Sequence, residues 1–114
     1  MKIYYDKTIK FISKLSIKQK NKLLNLLREV QKIQKSELNK KQKAIEIKKI
    51  LWTNQTSLGK LLTGAFIGTL FGLIIFGTGG IGIVGLGSGI GVWGFLSGTL
   101  GGTLISSIIQ NFEK

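Results

Sequence analysis

LGKLLTGAFIGTLFGLIIF (residues 58–76) and IGVWGFLSGTLGGTLISSII (residues 90–109) are the two stretches on which the reading of this chain turns. From 61 through 112 there is no Asp, Glu, Lys or Arg, and the glycines inside that run fall four apart: Gly64, Gly68 and Gly72, then Gly94, Gly98 and Gly102. A spacing of four puts residues on one helical stripe, where glycine lets a second backbone approach closely. At about 1.5 Å per residue the two stretches would extend roughly 28 and 30 Å as helices, matching the roughly 30 Å hydrocarbon core of a bilayer. The spacing therefore predicts an all-α membrane protein in which two transmembrane helices pack as a glycine-zipper hairpin.

Residues 77–89, between the two stretches, hold seven glycines (77, 79, 80, 82, 85, 87 and 89), so a loop is expected there. Each glycine costs a helix about 1 kcal/mol relative to alanine. A competing reading buries the hairpin in the core of a globular protein. The membrane reading is preferred because a chain of 114 residues has little other apolar surface with which to cover so long an uncharged run. Glycine-rich β-structure over 81–92 is a further alternative, but its apolar flanks lack polar turns.

Charge changes where composition does. The chain has 17 Lys and Arg against 5 Asp and Glu, a net charge of +12, and residues 1–60 carry 16 of the basic and 4 of the acidic side chains. All 16 glycines lie at or beyond Gly59. Two regions follow: a basic cytoplasmic helical region, 1–57, and the hairpin, 58–112. Lysines interrupt the first twenty residues, so no signal-peptide apolar core is read there. The lysine excess is expected to hold both termini on the cytoplasmic side of an integral protein of the bacterial cytoplasmic membrane.

The basic region reads as amphipathic helices. Tyr5, Ile9, Ile12 and Leu15 form one stripe, which suits either a membrane surface or a helix bundle. Ser16 and Gln19 have the spacing of a capping box, so a second helix should begin near Ile17. Its stripe runs through Leu23, Leu26 or Leu27, Val30 and Ile33, breaks near Ser36, and resumes at Ala44, Ile47 and Leu51. Trp52 and Trp93 are placed as markers of the two membrane interfaces, and Lys60 as a side chain that snorkels outward.

The inventory argues against catalysis. Histidine and cysteine are absent, and Asp6, Glu29, Glu37, Glu46 and Glu113 are isolated among lysines. No enzyme, metal or cofactor site is predicted. Gly85, Gly87, Gly89 and Gly91 lack the spacing and the downstream acid of a nucleotide-binding turn. More pointed is the stripe Thr99, Thr103, Ser106 and Gln110, which falls within about 60° of helical arc. Those side chains suit the lining of a water path, or hydroxyls bonded to the backbone one turn back.

For the lysines, an anionic-lipid surface, worth about 1 kcal/mol per residue, is preferred over nucleic acid. Arg28 is the one arginine, and no aromatic residue lies between Phe11 and Trp52 to stack on bases.

In its two glycine ladders the chain resembles glycine-zipper membrane hairpins, among them small bacterial pore-forming toxins, holin-like proteins and membrane effectors of antiviral defence. The resemblance implies a homo-oligomer that permeabilises membranes, with a regulatory protein partner as a further expectation. Gly64, Gly68, Gly72, Gly94, Gly98 and Gly102 would form its packing faces, and Thr99, Thr103, Ser106 and Gln110 its pore lining. The charged region here is N-terminal, whereas many holins carry theirs at the C-terminus. The alternative function is a membrane anchor or scaffold whose basic helices bind a protein partner, anionic lipid or nucleic acid.

Overall fold

The computed structural model describes residues 2–70 and 91–113, and every element among them is helical. Helix α1 is Lys2–Ser13, α2 is Ile17–Gln34 and α3 is Lys40–Lys48, which runs into a π-helical turn, Lys49–Thr53. Beyond it come α4 (Ser57–Leu70), α5 (Gly91–Ser97) and α6 (Thr99–Glu113).

Local chemistry sets the boundaries. Ser16 is the N-cap of α2: the Gln19 backbone N–H donates to its Oγ at 3.2 Å, and the Ser16 N–H donates to Gln19 Oε1 at 3.3 Å. This reciprocal pair satisfies two of the donors a helix start leaves open. The expected break near Ser36 is present, but the cap of α3 is Asn39, whose side chain accepts from the Gln42 N–H at 2.8 Å. Ser36 instead donates its hydroxyl back to the Ile33 carbonyl at 2.6 Å. In the π turn the Asn54 N–H reaches the Lys49 carbonyl five residues back, and the Gln55 side-chain amide donates to the Ile50 carbonyl at 2.7 Å. Gly59 leaves room for that Gln55 side chain, since a Cβ there would sit 3.2 Å from Gln55 Cβ.

Both halves of the chain contribute to one core. Leu23, Leu27 and Val30 of α2, spaced four and three apart, are fully buried with Ile12 of α1 and with Ile47 and Leu51 of α3 and its π turn. Phe66 and Ile67 of α4, Trp93 and Leu96 of α5, and Ile105 and Ile108 of α6 complete it. The principal contacts pair α3 with α5, α1 with α4, and α2 with α6. Full burial of one such side chain contributes about 1.5–3 kcal/mol, so the stripes of α2 and α3 stabilise the fold by covering the uncharged helices. The radius of gyration is 13.0 Å, close to the roughly 13 Å expected of a packed chain of this length.

This arrangement overturns the expected transmembrane hairpin. Among the described residues no helix is long and apolar enough to cross a membrane. Over the described residues helix α4 covers Ser57–Leu70, about 21 Å, against the roughly 30 Å of hydrocarbon. The second expected span is two helices, bent at Gly98, whose N–H donates to the Phe95 carbonyl at 3.1 Å. Placement as an integral protein of the bacterial cytoplasmic membrane is corrected by the same finding, as are the pore, channel and toxin character drawn from it. Residues 71–76 of the first expected span, Ile90 of the second, and the loop expected at 77–89 lie outside the described residues.

Candidate functional site

The glycine-zipper packing is also corrected. Helix α4 packs chiefly on α1, the π turn and α2, whereas α6 packs on α2, α5 and α1, so the two ladders are not each other's principal neighbours. A Cβ built on Gly68 or Gly94 meets nothing within 4 Å. On Gly98 it would lie 3.6 Å from Lys40 Cε, and on Gly102 it would lie 3.8 Å from Gln34 Oε1, both ordinary contacts. Gly64 is buried in α4, and Gly72 lies outside the described residues. The glycine that does admit a close approach is Gly101, one place off the ladder, where a Cβ would fall 2.6 Å from Leu96 Cα. That closeness lets the first turn of α6 fold back against α5.

The expected interface residues are distributed differently from one another. Trp93 is 1% exposed, in the core. Trp52, half-buried in the π turn, holds the Lys60 ammonium 5.4 Å from its ring centroid, a cation–π contact between the turn and α4.

The expected polar stripe is brought together, and it faces α2. Thr99, Thr103, Ser106 and Gln110 line a cleft of about 550 Å³ whose opposite wall is Gln31 and Gln34 of α2, its C-cap Lys35, and Lys43 of α3. Gln31 Nε2 donates to Ser106 Oγ at 2.8 Å, and Gln34 Nε2 donates to the Leu96 carbonyl at 2.6 Å. Gln34 Oε1 is buried and has no hydrogen-bond partner among the described residues. An unpaired buried acceptor costs about 1–3 kcal/mol.

A second cleft, of about 960 Å³, opens between α3 and α5. Ala44, Ile45, Trp93 and Phe95 give it an apolar floor, and Lys40, Lys41, Lys48 and Lys49 stand around it. Ile45 is 46% exposed, although it lies on a helix that buries Ala44 and Ile47. The cleft follows from the sequence of α3, KKQKAIEIK, and the residue after it, since lysines at 40, 41, 48 and 49 bracket the apolar positions 44 and 45. No Asp or Glu lines either cleft. Its volume is in the range of about 300–1,000 Å³ common to small-molecule sites.

The sequence reading missed Lys40, Ile45 and Gln34. A signal was present for Ile45, an isoleucine out of phase with the stripe of its own helix. Among the described residues no group of His, Cys, Asp or Glu could hold a metal ion. Comparison with protein-family models, curated proteins and solved structures returns no match.

Proposed function

We propose that this protein binds anionic amphiphiles, with the acyl chain laid on the apolar floor between α3 and α5 and the acidic group held by the surrounding lysines. What supports this reading is one observation: an apolar cleft exposing Ile45, flanked by Lys40, Lys41, Lys48 and Lys49, the last 3.5 Å from the Glu46 carboxylate, with no carboxylate in the lining itself. Covering apolar floor with a hydrocarbon chain gains about 25 cal/mol per Å². The lysines add a salt-sensitive attraction and bias the site against cationic or uncharged chains.

Displacement of a fluorescent fatty acid by oleate, against oleyl alcohol of the same chain length, tests it. Oleate should bind below its micellar concentration and at least about tenfold tighter than the alcohol, a difference of about 1.4 kcal/mol. Ile45→Asp, at an exposed position that leaves the core intact, should abolish binding. Oleate binding that is unchanged in Ile45→Asp would refute the site.

A further inference from the structure

The two clefts share a wall, and the shared wall carries a charge. Ser97 lines both. Lys40 belongs to the apolar cleft, yet its Nζ lies 3.8 Å from where a Cβ on Gly98 would be, and Gly98 belongs to the polar cleft. An ammonium group therefore stands at the junction, with hydrocarbon-compatible surface on one side and hydroxyls and amides on the other.

We propose that the two clefts together take one molecule, a single-chain glycerophospholipid whose phosphate bears a polyol head group. The proposal rests on the acyl-chain reading above and names its ligand. The chain would lie over Ile45, the phosphate at Lys40, and the polyol between α2 and α6. Two features support the assignment. A phosphate at the junction meets lysine and no carboxylate. The polar cleft is lined by groups that pair with hydroxyls, Thr103, Ser106 and Gln110 among them.

Calorimetric titration of the intact protein with four ligands tests it: oleoyl lysophosphatidylglycerol, oleoyl lysophosphatidylcholine, oleate, and glycerophosphoglycerol as the free head group. The phosphatidylglycerol form should bind at least about tenfold tighter than the choline form or oleate. Gly98→Leu, which fills the junction beside Lys40, should abolish the preference for the phosphatidylglycerol form over oleate. Thr103→Val, at an exposed position, should lower the same preference several-fold and controls for misfolding of the glycine variant. Equal affinity for all three chain-bearing ligands would overturn the two-cleft assignment while sparing the acyl-chain reading. Failure of all three to bind would overturn both. Glycerophosphoglycerol binding as tightly as its lipid would overturn the lipid assignment and identify a free polyol phosphate as the ligand.

Discussion

The Lys43 ammonium donates to the main-chain carbonyl of Gln34 at 2.8 Å, and so ties α3 to the last residue of α2. A helix leaves its final carbonyls without intrahelical donors and carries partial negative charge there, so a lysine reaching back from the next helix answers both. Lys43→Met keeps the aliphatic stem and removes the donor. Its unfolding free energy in urea should fall by about 1.5–3 kcal/mol, the usual contribution of a hydrogen bond to a charged group. A fall below a few tenths would mean that water replaces the lysine without loss.

The glycines of the uncharged run are not equivalent. Gly101→Ala places a Cβ 2.6 Å from Leu96 Cα and 3.0 Å from Leu96 C, both backbone atoms. It should destabilise the protein by about 1–3 kcal/mol, in the manner of an overpacked core. Gly68→Ala meets nothing within 4 Å and should stabilise by up to about 1 kcal/mol through helix propensity. Thermal melts of the two variants check the order, which helix packing through the four-spaced ladder would reverse.

Removing the capping hydroxyl with Ser16→Ala should lower stability by about 1 kcal/mol. Because Gln19 loses its reciprocal partner, amide exchange at the first turn of α2 should accelerate more than exchange at Leu27. Uniform acceleration along the helix would show that the cap acts globally instead.

The ion pair between Arg28 and Glu113, 3.0 Å long, joins α2 to the end of α6 with both side chains well exposed, at 41% and 48%. Water screens such a pair, so Glu113→Gln should change the unfolding free energy by less than about 1 kcal/mol. A denaturation midpoint that moved with salt in the wild type but not in the variant would expose a larger role.

Much of the basic half was legible in the residues themselves. The Ser16–Gln19 box and the stripe of Leu23, Leu27, Val30, Ala44, Ile47 and Leu51 are local patterns, and local patterns fix helices and their buried faces. What the pattern does not encode is the identity of the material covering an apolar face. The uncharged run reads as facing lipid because a chain of this length offers little other apolar surface, yet the stripes of α1, α2 and α3 supply enough to cover it. Glycine deepened the error, because spacing by four resembles a packing seam even where, at Gly68 and Gly94, nothing approaches. The polar stripe from Thr99 to Gln110 was found from its periodicity, but its partner wall on α2 was not, since Gln31 and Gln34 are sixty and more residues away in sequence.

The wide turn at Lys49–Thr53 makes the architecture sensitive to chain length as well as to residue identity. A π turn holds one residue more than an α-helix requires, and each residue of an α-helix accounts for about 100° of rotation. Deleting one residue there would let the turn close as regular helix while α3, which precedes it, keeps its face toward α5. Of the five positions Leu51 alone is fully buried, so a deletion that moves it out of the core would cost the fold more than the loss of the wide turn itself.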